Sequence, residues 1–295
     1  MKYTQLGSTN IKVSEISFGC MSLEIDKGLD HNSKLIRKAY KSGINFFDTA
    51  DLYDKGLNEK VVGTALNPFR ENTLISTKVG NEWKENGSGW DWNPSKEHIL
   101  TAVNESLRRL QTDYIDLYML HGGTIDDPID ETIEAFERLK KQGKIRAYGI
   151  SSIRPNTIRE WVKRSNMDCV MMQYSLLDKR PEEEILDLLA ENDISVITRG
   201  TLAKGLLINK SPKEYLNYSV ADFGKLQSEI KKMGNPTALS IQYVLQHTAV
   251  ASAVLGIRTN EQLRDIIQHF DDPVSEETLE KLSSVLASNH YSKHR

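Results

Sequence analysis

Short apolar runs rich in β-branched and aromatic residues recur along the 295-residue chain, and several end on an ionisable side chain. Leu74-Ile75-Ser76-Thr77-Lys78-Val79 is one; Ile44-Asn45-Phe46-Phe47-Asp48 and Ile115-Asp116-Leu117-Tyr118-Met119-Leu120-His121 are two more. Runs of this length and composition predict strands buried on both faces, beginning near Ile16, Ile44, Leu74, Ile115, Arg146, Cys169, Ile194 and Ala253. The segments between them carry helical periodicity. Ile99, Val103, Leu107 and Leu110 fall on one face, as do Ile129, Ile133, Phe136 and Leu139. Pro181 followed by Glu182, Glu183 and Glu184 marks a helix start, with acidic side chains at the positive end of the dipole. Eight strand–helix units imply a parallel sheet, and eight is the number that closes a (β/α)8 TIM barrel.

Three segments interrupt the rhythm. Residues 2–16 read as an N-terminal β-hairpin turning at Gly7-Ser8-Thr9-Asn10. Residues 80–94, with Trp83, Trp90 and Trp92 among Gly, Asn and Asp, predict a long loop after the third strand. The polar stretch from about Leu207 to Gly224 predicts another after the seventh. Long loops at strand carboxyl ends are usually functional. No linker or low-complexity tract divides the chain, so residues 1–295 are expected to form a single barrel domain.

Composition narrows the function. Hydrophobic residues at 39% and charged ones at 27% suit a soluble globular chain with a sizeable core. The net charge of −3, with Lys and Arg dispersed and no basic stripe, argues against a nucleic-acid partner. Cys20 and Cys169 have no Cys or His neighbours, so neither a metal site nor a disulfide framework is expected. The first residues lack the apolar core of a signal peptide, and no run is long enough to span a bilayer; a cytoplasmic location is the expectation. No heptad or exposed apolar helix indicates an oligomeric state.

Asp48, Lys78 and His121 would stand at the carboxyl ends of successive strands, where barrels of this kind do chemistry. Tyr53 follows close behind Asp48. A nearby ammonium favours a phenolate and lowers the hydroxyl pKa from its ordinary value of about 10. Asp48 would fix Lys78 and offset its burial, and His121 can orient a carbonyl oxygen, so the four form an electrophilic pocket that protonates a developing alkoxide. Taken singly, a lysine or aspartate at a strand end is more often half of an ion pair, a histidine more often a core residue, a tyrosine more often a surface one. Four together on three adjacent strands reverse that judgement.

A second cluster lies late in the chain. Gly256 ends the eighth strand, and Arg258-Thr259-Asn260-Glu261-Gln262 opens a helix. Free N–H groups, a glycine for close approach and an arginine suit a phosphate, although a plain surface helix cap has the same letters. The loop Leu202-Ala203-Lys204-Gly205 after the seventh strand can add donors. Ser151, Ser152 and Gln173 end the fifth and sixth strands and can hold an amide or ribose; from spacing alone, strand-end capping is the simpler reading.

These residues resemble the aldo-keto reductases over nearly the whole chain. The likeness is carried by Gly43-Ile44-Asn45-Phe46-Phe47-Asp48-Thr49-Ala50-Asp51-Leu52-Tyr53 with Asn58-Glu59-Lys60-Val61-Val62-Gly63, by Asp113 to His121, by Gly143 to Ser152 and by Gln173-Tyr174-Ser175-Leu176-Leu177. The resemblance implies an (β/α)8 barrel that binds NADP(H) across the strand carboxyl ends and reduces small aldehydes or ketones by hydride transfer. It implies Tyr53 as proton donor, with Lys78, Asp48 and His121 assisting, and Ser151, Ser152 and Gln173 on the carboxamide. Arg199 and Gly200 would lie at the nicotinamide, where many members stack an aromatic ring and a planar guanidinium can stack instead. Arg258, Thr259 and Gln262 would bind the adenosine 2′-phosphate. Met21, Leu52, Trp83, Trp90 and Trp92 would line the substrate pocket. Two other readings stay open: a Schiff-base aldolase using Lys78, and a non-catalytic NADP-binding regulatory subunit.

Overall fold

The computed structural model describes residues 1–295. Its first two strands, β1 (Tyr3–Gln5) and β2 (Lys12–Ser14), pair antiparallel as the predicted hairpin. Eight parallel strands then close a barrel in the order β10-β11-β12-β3-β4-β5-β8-β9. They are β3 (Ile16–Gly19), β4 (Phe46–Asp48), β5 (Leu74–Val79), β8 (Ile115–Leu120), β9 (Ile145–Ser151), β10 (Cys169–Gln173), β11 (Ser195–Arg199) and β12 (Val250–Gly256). Between β5 and β8 sits a second antiparallel hairpin, β6 (Asn81–Trp83) with β7 (Trp90–Trp92). The expected loop over residues 80–94 is therefore largely strand: the tryptophans of Trp83 and Trp90 face each other in register, and aromatic cross-strand pairs favour that pairing.

Ten helices surround the sheet: α1 (Leu29–Lys41), α2 (Leu57–Leu66), α3 (Lys96–Leu110), α4 (Ile129–Lys141), α5 (Pro155–Arg164), α6 (Ile185–Glu191), α7 (Val220–Met233), α8 (Pro236–Leu245), α9 (Asn260–His269) and α10 (Glu276–Ser284). None is long and apolar enough to cross a membrane. Ile129, Ile133, Phe136 and Leu139 are all buried on α4, the face that their spacing predicts. The segment after Pro181 begins as a single 3-10 turn before α6. The polar loop after β11 ends at Ser219 rather than Gly224. A capping box between Ser219 and Asp222 starts α7 five residues sooner than polarity alone suggests.

Two cores result from the alternation of side chains along the strands. The larger lies between sheet and helices. The smaller fills the barrel with Phe46, Leu117, Met119, Ala147, Cys169, Met171, Ile197, Ala251 and Val254, and Leu6, Ile11 and Val13 of the first hairpin join it. The Gly7 amide also bonds Ser195 Oγ at 2.7 Å, at the amino end of β11. The hairpin thus plugs the amino-terminal mouth and leaves the carboxyl ends of the strands for chemistry.

Candidate active site

On β5 the side chains alternate. Ser76 and Lys78 lie in register with the inward-facing Leu117 and Met119, while Thr77 pairs with the outward-facing Tyr118. Lys78 is therefore aimed into the barrel interior, where it is 1% exposed. Its ammonium donates to Asp48 Oδ1 at 2.7 Å, Asp48 Oδ2 at 2.9 Å and the Thr49 carbonyl at 2.6 Å. Ser76 Oγ donates to the same Asp48 Oδ1 at 2.7 Å. Burial is the largest single influence and would discharge a lone lysine, but Asp48 and Tyr53 together outweigh it and hold the Lys78 pKa above its ordinary value.

Tyr53 lies alongside. Lys78 Nζ stands 5.1 Å from the centroid of its ring, and the ring meets His121 edge-to-face with centroids 5.8 Å apart. Burial pushes the Tyr53 hydroxyl above the usual phenol range, with Lys78 pulling it the other way. The ammonium alone would lower the hydroxyl pKa, as expected from the sequence, but desolvation wins, so the hydroxyl keeps its proton at neutral pH. His121 follows β8, its amide bonded to the Val79 carbonyl at 2.7 Å. Burial, then Lys78 and Arg199, lower its pKa to about 3, so the imidazole is neutral. Its Nδ1 is buried without a partner. The four residues named from the sequence thus converge on one site.

The turn that carries Tyr53 is strained. Asp54 and Lys55 have φ of 49° and 54°, and Gly56 follows at 81°. Left-handed backbone costs a non-glycine residue roughly 1–2 kcal/mol, so the surroundings must hold it. Asn58 does so: its Oδ1 accepts from Thr49 Oγ1 at 2.7 Å, and its Nδ2 donates to the Cys20 carbonyl at 2.9 Å and to Asp54 Oδ2 at 3.2 Å. In the sequence Asn58 stands in a motif with no task of its own, and the burial and partners that give it one appear only in the fold. Asn58→Ala strands buried partners and is expected to lower stability by about 1–3 kcal/mol in denaturant unfolding, with kcat falling as well.

Other predicted residues are placed as follows. Gln173 Nε2 donates to Asp178 Oδ2 at 2.8 Å and to Tyr215 Oη at 3.0 Å, and its Oε1 accepts from Arg199 at 3.1 Å. Asp178 is buried and held by the fork of Arg180. Asp178 and Tyr215 were not singled out from the sequence. Ser152 Oγ accepts from the Arg154 amide at 3.2 Å, and Ser151 ends β9. Gly200 lies against Gln173, while Leu202, Lys204 and Gly205 form a tight turn after β11. Gly256 ends β12 beside Ser22. Thr259 caps α9 by accepting from the Gln262 amide at 3.2 Å, and Gln262 Oε1 accepts from the Arg258 amide at 2.8 Å. Arg258 and Asn260 border a pocket of about 410 Å³ lined also by His31, Lys34, Arg37, Lys38 and Lys41. Met21 and Trp90 are exposed and Leu52 half-buried. Trp92 bonds Asp127 at 2.9 Å and packs on Gly80 and Gly122, which ties it into the framework. Trp83 carries Lys55 over its ring at 5.2 Å.

Known proteins share this arrangement of the chain. The family model described as "Aldo/keto reductase family" matches residues 15–287. A curated relative, "Uncharacterized oxidoreductase YqkF" of Bacillus subtilis, is 47% identical over the whole of both chains. The "NADH-specific methylglyoxal reductase" of Escherichia coli is 34% identical over 73% of this chain and 72% of its own. Among solved structures, the holo form of aldo-keto reductase AKR11C1 from Bacillus halodurans superimposes with a TM-score of 0.95 at 46% identity, covering 100% of this chain and 99% of that one. With its closed eight-stranded barrel and a family match across nearly all of its length, the chain belongs to the aldo/keto reductase family, oxidoreductases acting on carbonyl groups.

Proposed function

We propose that this protein reduces small aldehydes and ketones to alcohols with NADPH, Tyr53 giving the proton. The observation that carries the reading is the buried ammonium of Lys78, locked by Asp48 and the Thr49 carbonyl beside a still-protonated Tyr53 and a neutral His121. A reduced nicotinamide bound across the strand carboxyl ends supplies hydride. The chain does the rest. His121, being neutral, can donate a hydrogen bond to the carbonyl oxygen without delivering a full charge. Tyr53 transfers its proton to that oxygen as negative charge develops, and Lys78 stabilises the phenolate left behind.

The donor set fits a nicotinamide dinucleotide phosphate. Gln173, Ser151 and Ser152 would hold the carboxamide, for which Gln173 would give up its bonds to Asp178 and Tyr215, and Arg199 and Gly200 would contribute beside them. Leu202, Lys204 and Gly205, in the tight turn after β11, would serve the pyrophosphate. Arg258 with Thr259 and Gln262 takes the 2′-phosphate, at the edge of a pocket where Lys34, Arg37, Lys38 and Lys41 outnumber the acidic Asp30. Such an excess of cations favours the phosphorylated cofactor, in contrast to the relative named for NADH. Met21, Leu52, Trp83 and Trp90 are the side chains we assign to the substrate mouth, with Trp92 supporting them.

Lys78 as a Schiff-base nucleophile is disfavoured, because a nucleophilic amine must be neutral, and here Asp48 keeps it charged and occupied. The test is oxidation of NADPH and of NADH, followed optically, with a panel of aldehydes, ketones and dicarbonyls. Arg258→Ala is expected to weaken NADPH binding by roughly tenfold to a hundredfold and leave NADH little changed, as loss of a charged hydrogen bond of about 1.5–3 kcal/mol requires. Tight NADPH binding without turnover of any carbonyl would move the regulatory-subunit reading ahead.

A further inference from the structure

Behind the turn that carries Tyr53 runs a chain of buried contacts that the proposed chemistry does not use. It starts on β5 at Thr77, which faces outward next to the inward-facing Lys78. Thr77 Oγ1 donates to Glu59 Oε1 at 2.6 Å, and Glu59, in the first turn of α2, is fully buried. The other carboxylate oxygen accepts from Arg109 Nε of α3 at 2.6 Å, and Arg109 also donates to the buried Ser106 Oγ at 3.2 Å. Held in this way, the Arg109 side chain lies against Gly56, the last residue of the Tyr53 turn before α2. A Cβ on Gly56 would sit 2.7 Å from Arg109 Cδ and 2.9 Å from its Nε, so the arginine fills the place of a side chain there. α3 comes this close to α2 because Gly63 has no Cβ, which would meet the Leu110 carbonyl oxygen at 2.4 Å.

We propose that Glu59 and Arg109 are positioning residues for Tyr53, a brace that seats its turn against the strand carrying Lys78. The brace has meaning only with Tyr53 as proton donor, the reading on which it rests. The turn requires support because Asp54 and Lys55 are held in left-handed backbone, and the Asp51 amide reaches the Lys78 carbonyl only at 3.4 Å. Asn58 ties the turn to Cys20 and Thr49; the brace adds a hold that ends on β5 itself. Thr77 and Lys78 are neighbours on that strand, so proton donor and ammonium take their positions from one element. The chemistry of the pair suits the task. A carboxylate fixed by Thr77 sets the plane of the guanidinium, and that rigid plane is what packs on Gly56; a lysine has a charge to offer and no plane.

The experiment compares kcat, KM for NADPH and melting temperature in variants of the brace. Arg109→Lys keeps a cation for Glu59 and removes the plane on Gly56. It is expected to melt close to wild type and to lose kcat by roughly tenfold, with KM for NADPH unchanged. Glu59→Gln combined with Arg109→Met removes both charges together, so no buried charge is stranded, and kcat should fall by up to about a hundredfold. A staple that merely joined α2 to α3 would shift the melting temperature and leave kcat of the folded enzyme alone. Wild-type kcat in both folded variants therefore overturns the proposal. Each change is then repeated in Tyr53→Phe, where a brace acting through the hydroxyl has nothing left to position. The further loss should stay under about twofold; the full loss recurring in that background overturns the brace and leaves Tyr53 as donor. Wild-type turnover in Tyr53→Phe alone removes the donor, and the proposal with it. Where the arginine variants do not fold, Thr77→Val cuts the anchor on β5 and leaves the Glu59–Arg109 pair in place: kcat should fall with KM unchanged, and wild-type kcat overturns the proposal.

Discussion

Tyr53→Phe is expected to lower kcat for carbonyl reduction by about 10²–10⁴-fold while NADPH binding stays unchanged, the range that a single general acid supplies. Phenylalanine keeps the ring that meets His121 edge-to-face and lies beside Lys78, so the wall of the site survives and only the proton is lost. Loss of both kcat and cofactor affinity would instead mean that the strained turn at Asp54 and Lys55 had collapsed. Single-turnover kinetics in protonated and deuterated water separate these outcomes, since a missing proton donor slows the chemical step and leaves the binding phase intact. Wild-type turnover matched by the variant would remove Tyr53 from the role, and water or His121 would have to be the donor. The neutral state of His121, with a pKa of about 3, argues against it as the reservoir: near neutral pH its ring has no labile extra proton to give.

The barrel was legible because its strands are buried on both faces and read as apolar runs, and because polar residues stand where those runs end. Asp48, Lys78 and His121 could be placed for the same reason. What the sequence concealed depends on pairings and burial that only the folded chain displays. Whether residues 80–94 pair as a hairpin is decided by Trp83 meeting Trp90, a partnership that no local pattern announces. The boundary at Ser219 turns on a capping box whose letters are common. The protonation of Tyr53 is set by how much protein covers it, and a one-dimensional reading has no measure of that. Asn58 and Tyr215 act by reaching across the chain to Cys20 and Gln173, and Asp178, held by the nearby Arg180, meets the same Gln173, so their tasks appear only when the barrel closes.

The Lys78–Asp48 pair separates stability from catalysis. Lys78 is 1% exposed, so Asp48→Asn alone leaves a buried ammonium with no counter-charge and is expected to destabilise the fold by about 3–5 kcal/mol. Lys78→Met alone strands the Asp48 carboxylate on Ser76 and should cost a similar amount. The double variant, Lys78→Met with Asp48→Leu, replaces two charges by apolar groups of similar volume and is expected to recover most of that stability, since buried ion pairs exchange for hydrophobic packing at little net loss. Its activity should not return. Without the ammonium, the phenolate formed when Tyr53 gives up its proton loses the strongest positive charge acting on it and keeps only the weaker influence of Arg199, and burial already disfavours that charge. Urea unfolding with reductase assays on the three variants tests both halves. A stable double variant that reduces carbonyls at the wild-type rate would make the pair a structural staple and return the proton chemistry to Tyr53 and His121 alone. A stable, inactive one would assign Lys78 the task of holding the phenolate charge and Asp48 that of keeping Lys78 charged.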